Sequence, residues 1–179
     1  MNIIYIVVAI VVIILIAYIG ISNDLNRAVV KIDEAASGID VALTKRYDVL
    51  TKMMDTCKSF VKHENEIMFK VIELRSGSSI QEKNDANKTM SENYKNLLAV
   101  AENYPELKSS DIFVSLQKSI IDVEEHLQAA RRLYNSNVSI YNQKLVTFPS
   151  SMIASSKGMT KKDFFEAEES KREDVKIDI

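Results

Sequence analysis

The apolar residues of this 179-residue chain follow two different patterns. The first is a continuous run, IIYIVVAIVVIILIAYIGI, which extends from Ile3 to Ile21 and holds no charged residue. After this run, apolar residues recur in steps of three and four, the spacing of helices that bury one face. Only four glycines and two prolines interrupt the chain. The pattern therefore predicts long helices rather than strands joined by many turns.

The run from Ile3 to Ile21 has the length of a membrane-spanning helix. Its nineteen residues would rise roughly 28 Å as a helix, close to the hydrocarbon thickness of a bilayer. A cleaved signal peptide with a small-residue site at Gly20 to Ser22 is the alternative. Such peptides begin with positive charge and have a shorter apolar core. We therefore expect residues 1–22 to be a transmembrane anchor in the lipid bilayer.

Basic residues on either side of the span indicate its orientation. Neither Lys nor Arg precedes the run, whereas Arg27, Lys31, Lys45 and Arg46 follow it. Cytoplasmic flanks carry the excess of such residues in single-pass proteins. The sequence thus predicts a cell-membrane protein whose C-terminal domain is cytoplasmic, with an extracytoplasmic domain as the alternative.

Residues 23–149 are expected to form an all-α domain, an antiparallel four-helix bundle. A turn is expected at RSGSS, from Arg75 to Ser79, and a helix end at Tyr104 before Pro105. Ser109 or Ser110 can cap the last helix, which Pro149 ends. The first apolar stripe comprises Leu25, Val29, Ile32, Ala36, Ile39 and Leu43, and resumes through Leu50, Met53, Cys57, Phe60, Ile67, Val71 and Leu74. The stripe of the last helix comprises Ile112, Leu116, Ile120, Val123, Leu127, Ala130, Tyr134, Val138, Tyr141, Leu145 and Phe148.

The first stripe is compatible with one long helix or with two. A single rod over residues 23–75 would be near 80 Å long, whereas the following helix would be only about 36 Å. A split near Tyr47–Leu50, with Asp48 as N-cap, would give two pieces of about 37 Å that match in length. The uninterrupted heptad spacing favours one helix. We favour the split.

Residues 150–179 are expected to form a C-terminal segment that returns to the bundle. Residues 150–156 predict a short helix, and Phe164 and Phe165 are expected to dock onto the bundle. The remaining tail is rich in charge and is expected to be frayed, although its alternating end, VKIDI, would also suit an extended strand.

A seven-residue repeat marks the end of the last helix. In RRLYNSNVSIYNQKLVTFP, the pair Tyr134-Asn135 returns as Tyr141-Asn142, so both pairs face the same side of a helix. We expect the asparagines to flank the inward stripe and to join a polar network that fixes helix register. A cleft for a ligand or partner is the alternative. The other expected members of the network are Asp40, Arg46, Asp48 and Arg131.

Composition and motifs indicate no catalytic site, metal site or cofactor. The net charge is −2 without a basic block, so no nucleic-acid partner is expected. HENEI, which begins at His63, has Ile67 where a zinc-protease helix needs a second histidine. His126 is expected at the surface or the seam. The single cysteine, Cys57, lies on the apolar stripe and is expected to be a small buried residue.

The stretches IDEAASGIDVALTKRYDVL, AENYPELK and AARRLYNSNVSIYNQKLVTFPSSMIA occur in this order along the chain, and together they resemble the LemA family. The first is similar to the family's Val/Ile-Asp-Glu-Ala followed by Asp-Val-x-Leu-x-x-Arg-Tyr-Asp-Leu, and the second is similar to its Glu-Asn-Tyr-Pro-x-Leu-Lys block. The stretch AARRLYNSNVSIYNQKLVTFPSSMIA resembles the family signature of Ala-Arg-x-x-Tyr-Asn, Tyr-Asn and Phe-Pro-x-x-x-Ile-Ala. The charged ending, FFEAEESKREDVKIDI, also resembles the end of family members.

The resemblance implies an N-terminal membrane helix, a four-helix bundle and no established enzymatic activity. The chain departs from the family at Thr51, where a proline is usual. That proline would suit the first turn of a new helix after Asp48, so Thr51 weakens the case for the split.

The function expected from these features is that of a non-enzymatic, membrane-tethered adaptor that recruits a protein partner. The alternative is an accessory subunit or enzyme in membrane-protein turnover, supported by the cluster of Arg, Tyr, Asp and Asn residues. A further alternative is membrane organisation, because some members of the family occur in organelle-forming membrane systems.

Overall fold

The computed structural model describes residues 2–61 and 78–165, and this part of the chain is helical with no strand. Its helices are α1 (Asn2–Phe60), α2 (Ile80–Asn103), α3 (Pro105–Lys108), α4 (Asp111–Val146) and α5 (Ser150–Ser156). The prediction of an all-α chain with one long apolar N-terminal helix is confirmed. The expected positions of His63, Ile67, Val71, Leu74, the first residues of the RSGSS turn and the tail after Phe165 lie outside the described residues.

The ends of α2, α4 and α5 follow from local sequence signals. Ser79 and Glu82 form a capping box, in which each side chain accepts a hydrogen bond from the other residue's backbone N–H. Pro105 ends α2 and begins the single turn α3. The Ser110 hydroxyl accepts the Phe113 N–H at 3.3 Å and so caps α4, as expected. The helix at residues 150–156 is also confirmed.

The predicted split of α1 near Tyr47–Leu50 is wrong. The helix is continuous from Asn2 to Phe60. Thr51 does not break it, because its hydroxyl donates to the Tyr47 carbonyl at 2.9 Å, a bond made within a helix. The charged residues that interrupt the stripe do not break it either, because Arg46 is buried and paired.

The first part of α1 is apolar and exposed along its length. Every described side chain from Ile3 to Gly20 is exposed. By length and composition, α1 is the one helix in the described part of the chain that is apolar enough to cross a membrane. Further along α1 the pattern changes, because Leu25, Ile32, Ile39 and Leu43 are buried at the expected spacing.

The chain divides into two compact units, and α1 and α4 contribute to both. Unit 1 comprises Met1–Ala35 and Leu133–Phe164. Within it α1 and α4 run antiparallel: the Lys144 ammonium bonds Asp24 at 2.6 Å, and the Asn137 amide donates to the Lys31 carbonyl at 3.0 Å. A small apolar core comprises Leu25, Ile153 and Ala154, with Ile21, Leu145 and Met159 packed against it.

Unit 2 comprises Ala36–Arg132 and Phe165–Ile179. Here α1 and α2 run parallel, because Asp40 pairs with Lys83 and Arg46 pairs with Asn87 and Ser91. α4 runs antiparallel to α1. The large buried side chains of unit 2 include Leu50, Met53, Met90, Leu97, Phe113, Ile120 and Leu127. Each of the three long helices therefore contributes large apolar side chains to the interior of unit 2.

Three aromatic or apolar positions differ from expectation. Phe148 was assigned to the inward stripe of the last helix but is 75% exposed, because α4 ends at Val146 before the stripe reaches it. Ile112 was also placed inward, but Phe113 occupies the buried position. The expected docking of the paired phenylalanines holds for Phe165, whereas Phe164 is largely exposed.

Candidate functional site

Arg46 lies at the centre of a polar cluster that joins three helices of unit 2. Its Nη1 atom donates to the Asn87 carbonyl at 3.0 Å and to the Asn87 side chain. Its Nη2 atom donates to the Ser91 hydroxyl at 3.0 Å and forms an ion pair with Glu124. One guanidinium thus makes three hydrogen bonds to α2 and one ion pair with α4.

The geometry of this cluster explains how the charged guanidinium of Arg46 can be buried. A buried guanidinium is strongly destabilising unless opposite charge and hydrogen-bond acceptors surround it. Asn87 supplies two acceptors and Glu124 supplies the carboxylate. Because these partners lie on different helices, sliding α2 or α4 along α1 would break the contacts, so the cluster favours one helix register.

An open cleft of about 960 Å³ lies beside the Arg46 cluster. Its wall combines apolar and charged side chains: Arg46, Ser91, Tyr94, Lys95, Ile120, Ile121, Asp122, Glu124, Glu125, His126, Gln128 and Arg132. Burial and the negative charge of Glu124 raise the pKa of the Tyr94 hydroxyl, so this group stays protonated at neutral pH. The cleft can therefore offer hydrogen bonds, charges of both signs and apolar contacts to a ligand or a peptide.

The two predicted aspartates have different surroundings. Asp40 pairs with the buried Lys83 ammonium at 2.7 Å, and this contact joins α1 to α2 near the Arg46 cluster. Asp48 is exposed. Asp40 and Arg46 therefore both contact α2, whereas Asp48 has a position facing solvent.

The Tyr-Asn repeat holds the C-terminal segment of unit 1. The Tyr141 hydroxyl donates to the Thr160 carbonyl at 3.1 Å, and the Tyr134 hydroxyl donates to the Asp163 carbonyl at 3.0 Å. The Asn142 amide bonds Lys162 in both directions, donating to its carbonyl and accepting its N–H, each at 2.9 Å. The repeat therefore pairs with the backbone of residues 160–163.

These contacts replace the partners that the sequence suggested for Asn142. Arg46, Asp48 or Asp40 was expected to pair with the repeat, but the printed bonds of Asn142 go to Lys162. Asn135 is partly buried. A segment without helical periodicity gives no signal as a binding partner, which is why sequence reasoning did not identify residues 160–163.

Burial also affects the two tyrosine hydroxyls and the single cysteine. It raises the pKa of Tyr141, and it raises that of Tyr134 together with the negative charges of Asp163 and Asp33. Cys57 is fully buried, and burial raises the pKa of its thiol to about 11. The thiol is therefore protonated at neutral pH and poorly nucleophilic.

Arg131 forms a second contact with the C-terminal part of the chain. Its guanidinium lies 5.2 Å from the centre of the Phe165 ring, a cation–π geometry within unit 2. The described residues contain no group of three or more His, Cys, Asp or Glu side chains that could hold a metal ion. Of the predicted site residues, Asp40 and Arg46 contact α2, whereas Arg131, Tyr134, Tyr141 and Asn142 contact the C-terminal part of the chain.

Comparison with known proteins finds one family over most of the chain. The sequence model of the LemA family matches residues 35–179. Protein LemA of Metamycoplasma hominis is 31% identical over 166 residues, which cover 88% of this chain and 74% of that protein.

Two shorter matches are to proteins named for the magnetosome. Magnetosome protein MamQ 2 of Paramagnetospirillum magneticum is 29% identical over 70 residues, covering 39% of this chain and 26% of that protein. Magnetosome protein MamQ of Magnetospirillum gryphiswaldense is 26% identical over 69 residues, covering 38% and 25%. The extent of the family match, together with the three sequence blocks and the all-α fold, shows that the chain belongs to the LemA family.

Proposed function

We propose that this chain is a membrane-anchored adaptor, in which the apolar part of α1 crosses the bilayer and the helical domain recruits a protein partner. The membrane anchor is supported by a difference along α1. Its side chains are exposed up to Gly20, whereas from Leu25 onward they form a periodic buried stripe. In water, an exposed apolar surface of this size would be strongly unfavourable. A bilayer would cover it, and the helix satisfies its own backbone there.

The cleft of unit 2 is the surface that we assign to the partner. It is open, and it combines the exposed apolar side chain of Ile121 with charged residues such as Lys95 and Arg132. Protein interfaces commonly combine apolar anchors with a polar rim. The Arg46 cluster beneath this surface would hold it in one conformation, which lowers the entropy lost on binding.

The second candidate function is membrane organisation or the turnover of membrane proteins. Two relatives are named magnetosome proteins, which favours a role in a membrane system. An enzyme of membrane-protein turnover would need reactive groups that converge in a cleft. Arg46 and Glu124 line the cleft but are paired with each other, and Tyr134, Tyr141 and Asn142 bond the C-terminal segment. These contacts support the adaptor over the enzyme.

The orientation of the domain can be tested with an impermeant thiol reagent on intact cells. A Ser139→Cys variant places a thiol at an exposed position of α4. We expect labelling only after lysis, because Arg27 and Lys31 favour a cytoplasmic domain. The unchanged chain is the control, since its buried Cys57 thiol, with a pKa of about 11, should not react while the domain is folded. Labelling of Ser139→Cys without lysis would show the opposite orientation.

The adaptor role can be tested by photocrosslinking in membranes. A photoreactive amino acid at Ile121, in the cleft, should crosslink to a defined protein that is not captured from Ile112 on the same helix. Both side chains are exposed, but Ile112 is not in the cleft wall. Arg132→Glu should abolish the Ile121 product by reversing the charge at the rim. The same products from both positions would argue against a specific cleft partner.

A further inference from the structure

We propose that the corner between α4 and α5, from Val146 to Met152, is a second membrane contact that inserts apolar side chains into the bilayer surface beside the span. The partner is the phospholipid bilayer that carries the chain. The inference rests on the proposed anchor, and it assigns a role to the Phe-Pro motif, which the Arg46 cluster and the cleft do not involve. All of its observations lie within unit 1.

The contacts on either side of the corner place it next to the C-terminal end of the proposed membrane span, at Ile21. Before the corner, Lys144 bonds Asp24 at 2.6 Å and Leu145 packs against the core of unit 1. After it, Ile153 and Ala154 form that core with Leu25, and the Lys157 ammonium contacts the Ser22 hydroxyl. The corner is therefore held against the turn of α1 that follows Ile21.

This turn of α1 lies at the depth of the lipid headgroups if Ile21 ends the span. Ser22 and Leu25 are one and four residues beyond Ile21, which corresponds to about 1.5 to 6 Å along the helix. The headgroup layer on each side of a bilayer is roughly 5–8 Å thick. Side chains of the corner that project towards the span would therefore reach the boundary between headgroups and acyl chains.

The exposed side chains of the corner are apolar, as a position at the boundary between headgroups and acyl chains requires. Val146, Phe148 and Met152 are all largely exposed, although Ile153 and Ala154 in the same helical turn are buried. Isolated exposed apolar residues are ordinary on protein surfaces. Three of them within seven residues, next to the end of an apolar span, instead form a surface that suits shallow insertion.

Local hydrogen bonds fix the shape of the corner. The Ser150 hydroxyl donates to the Lys144 carbonyl at 2.7 Å and to the Thr147 carbonyl at 2.8 Å. The Thr147 hydroxyl donates to the Gln143 carbonyl at 2.8 Å. These bonds hold Phe148 outward, so little conformational entropy would be lost on insertion. The exposed cations Lys157 and Arg27 lie where they can approach lipid phosphates.

The chain contains no tryptophan, so a single introduced tryptophan is a clean fluorescent probe. Phe148→Trp would be compared in the full chain, reconstituted into phospholipid vesicles, with Ile13→Trp in the span and Leu133→Trp on α4. Leu133 is exposed and lies about 20 Å along α4 from Val146. Phospholipids brominated near the headgroup or near the acyl-chain ends quench tryptophan according to its depth.

The expected result is a different quenching pattern at each position. Phe148→Trp should show blue-shifted emission that headgroup-proximal bromines quench strongly, and Met152→Trp should repeat this result. Ile13→Trp should be quenched by deep bromines, and Leu133→Trp by neither lipid. If Ile13→Trp is quenched but both corner probes behave like Leu133→Trp, the corner contact is wrong and the anchor stands. If Ile13→Trp and the corner probes are all unquenched, both proposals fail.

Discussion

Replacing Glu124 with alanine is expected to lower the free energy of unfolding by about 3 kcal/mol, because the change removes the carboxylate that forms an ion pair with the buried Arg46 guanidinium. Arg46 is 3% exposed, so its charge is largely shielded from water in the folded chain. The hydrogen bonds to Asn87 and Ser91 would remain, but they supply no negative charge.

The reciprocal change should be less damaging. In Arg46→Leu the apolar core gains an aliphatic side chain, and Glu124, whose side chain is 31% exposed, can turn towards water. The remaining loss comes from the Asn87 side-chain oxygen, which would lose its hydrogen bond from Arg46, at about 1–3 kcal/mol. A larger effect for Glu124→Ala than for Arg46→Leu would therefore show that removing the carboxylate beside a buried charge costs more than removing the charge itself.

Denaturant unfolding of the purified full chain in mild detergent, followed by circular dichroism, measures both changes. Glu125→Ala is the matched control, because Glu125 is the next residue of α4 and is exposed. Its substitution should change the free energy of unfolding by less than about 0.5 kcal/mol. Equal stability of the Glu124→Ala and Glu125→Ala variants would contradict the structural role of the Arg46 cluster.

The Arg46 cluster shows why the sequence predicted where helices begin and end better than it predicted that α1 is unbroken. Apolar periodicity and capping residues placed both ends of α2 and the start of α4 well, because Ser79, Pro105 and Ser110 act on their immediate neighbours. The unbroken course of α1 depends on distant partners. Arg46 interrupts the apolar stripe in sequence, but Glu124 makes it a core residue, and that residue is 78 positions away in the chain.

The hydrogen-bond partners of the Tyr-Asn repeat also depend on residues that lie far away in the sequence. Its seven-residue spacing correctly placed Tyr134 and Tyr141 in buried positions. Periodicity cannot identify the acceptors, because the backbone carbonyls of Thr160 and Asp163 exist in every sequence. Only the course of the returning segment brings them to the repeat.

Phe148 shows a limit of extending a stripe to the end of a helix. The steps of three and four continue from Leu145 to Phe148, but the helix ends at Val146, so the ring leaves the buried face. A pattern defined by helical geometry has no meaning once the backbone leaves the helix. The proposed membrane contact would instead place the exposed ring of Phe148 in the bilayer surface, an environment that the apolar pattern of a protein core does not describe.

Phe165→Ala is expected to destabilise the chain by roughly 3 kcal/mol, the typical effect of removing a buried aromatic ring and leaving a cavity. Phe165 is 1% exposed, and the Arg131 guanidinium lies 5.2 Å from the centre of its ring. The change removes both apolar burial and the cation–π contact. It would also leave the buried charge of Arg131 beside a cavity.

The adjacent phenylalanine is the matched control. Phe164 is 47% exposed, so Phe164→Ala removes less buried surface and should lower the free energy of unfolding by less than about 1 kcal/mol. Phe165→Leu separates the two contributions, because leucine keeps much of the apolar volume but has no π face. This variant should lie between the other two, with about 0.5–1 kcal/mol of its loss due to the cation–π contact.

Thermal and denaturant melts of the three variants, together with hydrogen exchange of residues 160–165, decide the role of the C-terminal segment. Faster exchange in Phe165→Ala, with protection retained in Phe164→Ala, is expected if burial of Phe165 holds the end of the segment. If Phe165→Ala melts like the unchanged chain, this ring does not anchor the segment. The bonds made by Tyr134, Tyr141 and Asn142 would then be sufficient to hold it, since each acts on residues 160–163.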